Sequence, residues 1–201
     1  WQLFVHANGD AAIDMAIKGF DAAGIKARDN ARPVVIHSQF QRPDQLKDYV
    51  RIGVGPAYFS NHTYYFADIH RSNFPAEVVD FISPFQSALK AGLHASTHSD
   101  APVTPLGPFT QLWSSMARQS LTGVVSGADQ RLSAWQGLQM LTTGPAWQVF
   151  EEGRKGRIKA GLLADFVVID KNPLTTPVGQ SRGIKVLRTV KEGQTVWARG
   201  Q

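Results

Sequence analysis

The chain contains no cysteine among its 201 residues. Disulfide bonds, thiolate metal ligands and a cysteine nucleophile are therefore excluded, while the compartment stays open and a cytoplasmic location is the expectation. No apolar run reaches the roughly 18 residues that a transmembrane helix needs, so no membrane partner is predicted. The Gly-x-Ser-x-Gly, Gly-x-Gly-x-x-Gly and Walker patterns are also missing, which argues against a serine-hydrolase elbow and the common phosphate-binding loops.

The charge is only mildly basic, at +5 for the whole chain. The densest basic segment, Arg154–Lys159, contains a glycine and has no interleaved aromatic residues. A nucleic-acid site would combine basic with aromatic residues, so a solvated turn explains this segment better and no nucleic-acid partner is expected. An apolar content of 43% with 10% aromatics is sufficient for a packed core.

Apolar strand-like segments alternate with helical patterns through the first 150 residues. The predicted strands are Gln2–Ala7, Pro33–Ile36, Val54–Ser60 and His94–Thr97. Helices are predicted after Asn8-Gly9, with Asp10 as cap, over Pro43–Ile52, from a Ser83 cap to Ala91, and roughly over Phe109–Gln119 and Ser133–Thr142. Such alternation is typical of an α/β fold with a parallel sheet and right-handed crossovers.

The last fifty residues differ in character. Three β-strands separated by Gly, Pro and Asn turns are predicted, at Ala164–Asp170, Lys185–Lys191 and Thr195–Ala198. A boundary near Glu151–Gly161 would divide the chain into an α/β body over residues 1–150 and a small β module over residues 151–201.

Three ligand-type side chains follow predicted strands at related spacings. His37 lies 31 positions after His6 and 63 before Asp100. One βα unit takes about 30 residues, and the carboxyl ends of parallel strands open into one mouth, so these side chains should converge. Each residue alone would be read as an ordinary core, surface or turn residue. Together, two imidazoles and a carboxylate predict a site for a divalent metal, with zinc as the first choice.

Asp100 has a second predicted role, as general base and catalytic residue. A divalent ion lowers the pKa of its bound water from about 16 to about 7, so that hydroxide becomes the nucleophile. A carboxylate beside that water could accept its proton and deliver it to a leaving amine.

The remaining histidines allow more than one interpretation. His62 lies in an aromatic segment that either packs over the body or forms a substrate wall, with His62 donating a hydrogen bond to a developing oxyanion. His98 shares a strand face with Asp100 and stays open as a residue that supports the metal ligands. His70 is expected at the surface.

Four segments resemble the metal-dependent amidohydrolase superfamily, in its branch of YtcJ-like hydrolases and N-substituted formamide deformylases. They are His6–Asp10, Ile36–Gln39, Ser99–Val103 and Gly156–Asp170, and they occur in family order across nearly the whole chain.

The resemblance implies the carboxyl-terminal half of a (β/α)8 barrel, strands five to eight, followed by part of a small β-sandwich. His6 would be the strand-five ligand, His37 the strand-six ligand, and Asp100 the strand-eight ligand and general base. The His62 segment would follow strand seven and face a small amide-type substrate. The implied activity is metal-dependent hydrolysis of C–N bonds in an amide, formamide or cyclic amide.

The sequence departs from the family pattern in one respect. The His-x-His pair after strand one, and the bridging lysine or further acidic ligand, have no counterpart here. We therefore expect the chain to be part of a longer enzyme and to bind metal weakly alone. The alternatives are an inactive half-barrel that functions only when paired with the missing amino-terminal half or another copy, and a decarboxylase or isomerase on the same scaffold.

Overall fold

The computed structural model describes residues 1–200 and contains a four-stranded parallel sheet. Its strands, in spatial as in chain order, are β1 (Phe4–Ala7), β2 (Val34–His37), β3 (Gly55–Tyr58) and β4 (Ser96–Thr97). His37 pairs with Ala7 on one side and with Tyr58 on the other, so the strand ends are aligned. The parallel pairing confirms the predicted α/β class.

Helices connect the strands and follow the sheet. They are α1 (Asp10–Ala22), α2 (Pro43–Ile52), α3 (Ala67–Asn73), α4 (Ala76–Asp80), α5 (Phe85–Lys90), α6 (Pro108–Ala117), α7 (Ala134–Leu141) and α8 (Thr143–Gln148). Within residues 1–200, no helix is long and apolar enough to cross a membrane.

Local sequence explains the first two helices. The predicted apolar stripe of α1 is buried through Ile13, Ala16, Ile17 and Phe20. Helix α2 has Pro43 in its first turn, where no backbone N–H is needed, and ends at Gly53 with a φ of 83°. The N–H of Gly53 donates to the carbonyl of Tyr49, which closes the helix.

Two predicted helix caps were wrong. Asp10 is the first residue of α1 and Gly9 is its cap, while the Asp10 carboxylate accepts from the N–H of Ala11 and from Arg42. Ser83 does not cap α5, whose cap position is Pro84. The Ser83 N–H is committed to the carbonyl of Gln39, and its φ is 47°, outside the extended region that capping residues adopt.

The segment after β3 is more ordered than predicted. A π-helical turn, His62–Phe66, runs directly into α3 and is followed by α4. Helix α8 was also missed, because it contains Gly144 and Pro145, which disfavour a helix locally. Tertiary packing decides there: a Cβ on Gly144 would collide with the carbonyl oxygen of Ala95, so only glycine allows this close approach to β4.

A second sheet lies near the carboxyl terminus. It is antiparallel and comprises β5 (Phe166–Ile169), β6 (Val186–Lys191) and β7 (Gln194–Ala198), matching the three predicted strands. The 3₁₀ segment Val178–Gly183 joins β5 to β6 and packs against α6. There the Arg182 guanidinium lies 4.3 Å from the ring centre of Trp113.

Candidate metal centre at the carboxyl ends of the parallel strands

Adjacent strands bring His6 and His37 together. Their ring centroids are 4.6 Å apart, in an edge-to-face arrangement. His6 is exposed, whereas His37 is buried at the last position of β2. His37 has a φ of 71°, so the chain turns out of the strand at this residue. The two imidazoles therefore meet at the carboxyl edge of the sheet, as predicted.

Asp100 follows β4 and also stands near His37. Burial lowers the pKa of His37, and the Asp100 carboxylate offsets part of that shift. Asp100 itself has a φ of 53°, a backbone region that non-glycine residues rarely adopt. A neutral His37 beside a carboxylate is in the protonation state that binds a metal ion.

Two further histidines surround His37. The ring centroids of His98 and His62 lie 4.9 Å and 5.7 Å from that of His37. Both rings also contact Phe59, which stacks on His98. Burial lowers the pKa of His98 to about 4 and that of His62 to about 2, so both are neutral at physiological pH.

The buried imidazoles are incompletely hydrogen-bonded. Nδ1 of His37, Nδ1 of His62 and Nε2 of His98 are buried without a hydrogen-bond partner among the described residues. An unpaired buried polar atom costs about 1–3 kcal/mol, and such atoms call for an explanation at a functional site. These nitrogens have lone pairs or N–H groups available for a ligand.

The donor chemistry fits a divalent metal, but the arrangement supplies only part of a coordination shell. In the portion of the chain that the structure describes, no three or more His, Asp or Glu side chains converge closely enough to hold an ion. Imidazole and carboxylate are suitable ligands for zinc and similar ions, and His37 has an unpaired buried nitrogen. His6, His37 and Asp100 are therefore neighbours without forming a closed site by themselves.

A cavity of about 710 Å³ adjoins this cluster, and the sequence did not reveal it. Its apolar lining includes Phe40, Phe74, Val78 and Phe81. Asn8 lines it as well, and the side-chain nitrogen of Asn8 lies 3.4 Å from Nε2 of His6. The volume is in the usual range for small-molecule sites.

The expectation for His70 was wrong. This ring is half-buried, with its centroid 5.3 Å from Phe40 and 6.3 Å from both His62 and Phe74. Its Nε2 is 3.2 Å from the side-chain nitrogen of Gln39. The helix that carries His70 was not predicted, so its inward face could not be assigned from sequence.

The structure is a parallel α/β fold in which His6 and His37 meet at the carboxyl ends of adjacent strands. The model of the Amidohydrolase family matches residues 1–197. The chain belongs to this family, which confirms the resemblance read from its motifs.

Two relatives illustrate the relationship. The chain is 26% identical over 195 residues to the N-substituted formamide deformylase of Arthrobacter pascens, covering 95% of this chain and 35% of the relative. It is 24% identical over 207 residues to YtcJ of Bacillus subtilis (strain 168), named as an amidohydrolase, covering 98% and 37%. The chain thus spans little more than a third of the length of these relatives.

A solved structure shows the same fold. A metal-dependent hydrolase from Pyrococcus horikoshii OT3 superposes with a TM-score of 0.76 at 22% identity. The match covers 89% of this chain and 35% of that structure. At this identity, the likeness supports the fold and not a substrate.

Proposed function

We propose that the chain forms the carboxyl-terminal half of a (β/α)8 metal-dependent amidohydrolase that cleaves C–N bonds in an amide, formamide or cyclic amide. Residues 1–150 would supply strands five to eight, and residues 151–201 part of a β-sandwich. The observation that carries the proposal is the meeting of His6 and His37 beside Asp100 at adjacent strand ends. In barrels of this kind the chemistry takes place at that edge.

In this proposal His6, His37 and Asp100 hold a divalent ion, with zinc as the first candidate. When bound, the ion supplies an activated water and polarises the carbonyl under attack. Asp100 accepts the proton of the attacking water and returns it to the leaving nitrogen, so that the product departs as an amine.

His62 would contribute a hydrogen bond from a neutral imidazole. Because its pKa is about 2, it carries no positive charge at neutral pH and acts only through its N–H. A fixed donor in a dry pocket stabilises negative charge that develops on the carbonyl oxygen. The unpaired Nδ1 of His62 is consistent with such a role.

The cavity beside His6 would receive the apolar substituent of the amide. Phe40, Phe74 and Phe81 provide an aromatic wall, and Asn8 joins this wall to His6. The proposed substrate is therefore an amide whose nitrogen carries a hydrophobic group.

One alternative is an inactive half-barrel that functions only after pairing. Strands β1 and β4 are the sheet edges, and Leu3 and Phe4 beside the first edge are 49% and 48% exposed. An open edge with exposed apolar side chains is a pairing surface. The occupant would be the complementary barrel half or a second copy of this chain.

Isothermal titration calorimetry with zinc tests the proposed function. We expect weak, stoichiometric binding to the chain, lost in His6→Ala, His37→Ala and Asp100→Asn. His94→Ala is the matched control, because His94 stacks on Trp147 at the opposite edge of the sheet. Stoichiometric binding that survives all three site substitutions would contradict the ligand assignment.

Amine release from a formamide tests the reaction. Sedimentation of the zinc-free chain tests the pairing alternative.

A further inference from the structure

A buried series of side-chain hydrogen bonds joins the segment after β3 to the segment after β4. The Ser114 hydroxyl has two acceptors at 3.2 Å, Asn61 Oδ1 and the carbonyl of Gln111, and Asn61 Nδ2 donates to Thr104 Oγ1 at 2.9 Å. Thr104 Oγ1 in turn donates to the carbonyl oxygen of Ser99 at 2.5 Å. Ser114 and Asn61 are fully buried and Thr104 is 2% exposed, so water does not compete for these groups.

Two members of the series are next to candidate site residues in the chain. Asn61 immediately precedes His62, and Ser99 immediately precedes Asp100. The Ser99 carbonyl belongs to the peptide group whose N–H is that of Asp100. The hydrogen bond from Thr104 therefore restrains the peptide plane from which the Asp100 side chain projects.

The direction of the hydrogen bonds is set by the side chains themselves. The Thr104 hydroxyl accepts from Asn61, so its single proton is free for the Ser99 carbonyl. Asp100 has a φ of 53°, and a residue holds such a conformation only when its surroundings impose it. Removing one member leaves its buried partners unpaired, so the restraint depends on the complete series.

We propose that Asn61 and Thr104 are positioning residues that hold the Asp100 carboxylate in place relative to His37 and His62. The role rests on the proposed function of Asp100 as ligand and base. Neither Asn61 nor Thr104 contacts the metal or the substrate in this assignment. They act through the backbone on either side of the site.

Hydrogen exchange on the metal-free chain tests the restraint. The reporter is the amide of Val103, which donates to the Asp100 carbonyl at 2.7 Å. In Thr104→Val we expect this amide to exchange about tenfold faster, the effect of losing one buried hydrogen bond. Thr104→Ser keeps the hydroxyl and should exchange like the wild type. Unchanged exchange in Thr104→Val, or equal acceleration in Thr104→Ser, would overturn the proposal.

Two further variants keep this test interpretable. Thr142→Val is the matched control, because its hydroxyl also donates to a carbonyl, that of Leu138 on α7. It should leave the Val103 amide unchanged. Should Thr104→Val fail to fold, Asn61→Ala removes the donor to Thr104 and should accelerate the same amide.

Zinc affinity separates positioning from general packing. Residues that orient a metal ligand change affinity by about 10- to 100-fold, so Thr104→Val should weaken zinc binding within that range. Thr104→Ser, which keeps the hydroxyl donor to Ser99, and Thr142→Val, which lies away from Asp100, should both bind zinc like the wild type. An equal loss of affinity in either of these two variants would overturn the role. Absence of zinc binding to the wild-type chain would count against the proposed function alone, and the exchange result would then decide the positioning role.

Discussion

The amino and carboxyl edges of the parallel sheet differ in how completely their polar groups are hydrogen-bonded. At the amino edge, the Gln148 side chain accepts from Ser96 at 2.7 Å and donates to the carbonyls of Pro56 and His94 at 3.0 Å and 3.1 Å. Arg32 lies between the rings of Trp147 and Phe150. The side-chain oxygen and nitrogen of Gln148 therefore both have hydrogen-bond partners.

Arg32 also makes two hydrogen bonds to Glu152, at 3.0 Å and 2.8 Å. This bidentate contact lowers the pKa of Glu152. The Trp147 carbonyl accepts from the same guanidinium. The amino edge is thus held by a polar network that leaves little for a ligand to satisfy.

At the carboxyl edge, buried polar atoms lack partners within the described chain. They include ring nitrogens of His37, His62 and His98 and the side-chain nitrogen of Gln41. In parallel barrels the amino edge provides stability and the carboxyl edge provides chemistry. The difference between the edges therefore agrees with the proposed function, in which the amino edge stabilises the sheet and the carboxyl edge binds the ligand.

The largest effect on stability is expected from a substitution at the amino edge. Gln148→Leu would leave the Ser96 hydroxyl and the carbonyls of Pro56 and His94 without their side-chain partner, so we expect the free energy of unfolding to fall by about 3 kcal/mol. Urea denaturation measures it. Gln119→Leu is the control, because Gln119 is exposed and should change stability by less than about 0.5 kcal/mol. Equal effects of the two substitutions would contradict the contrast between paired and exposed groups.

The next prediction concerns how the stability of the protein changes at acid pH, where the buried histidines of the carboxyl edge matter. In the unfolded chain His62 has its ordinary pKa of 6.5, whereas burial lowers it to about 2 in the folded protein. Between these values only the unfolded chain binds the proton, so stability falls as the pH falls, by about 1.4 kcal/mol per pH unit for this residue. His98, with a pKa of about 4, adds to the loss in the same direction.

His62→Phe should remove one histidine's share of this acid sensitivity. The surrounding rings of Phe59 and Phe66 can accommodate a phenyl group. Urea denaturation at about pH 7.5 and about pH 5 measures the difference in slope. Tyr64→Phe alters a neighbouring ring and leaves every histidine in place, so it should keep the wild-type slope. A wild-type slope in His62→Phe would show that His62 is not buried neutral.

The smallest effect is expected on ligand affinity, from a substitution in the wall of the cavity. Phe74→Ala removes part of the cavity wall, and we expect the dissociation constant of a formamide with an apolar N-substituent to rise about fivefold. The affinity for N-methylformamide should change less, because its substituent does not reach the wall. NMR titration measures both. Ile69→Ala, an exposed change on α3, is the control, and equal losses for both formamides would argue against the subsite.

The sequence anticipated the elements whose local signals agree with their packing. Helix α2 was predicted at its observed bounds because Pro43 and Gly53 mark its start and end. Helix α8 was missed because Gly144 and Pro145 oppose helix formation, and only its close contact with β4 stabilises it. Asp10 was misassigned as a cap because its interaction with Arg42 is long-range.

By itself, the sequence determined the α/β alternation and the placing of His6, His37 and Asp100 at strand ends, because burial periodicity and strand spacing are local properties. Family membership could also be read from ordered motifs. Only the tertiary structure decided which side chains gather around His37, that His62 and His98 are neutral, and that a cavity with an aromatic wall adjoins His6. Those properties depend on desolvation and on contacts between segments far apart in the chain, which no local pattern encodes.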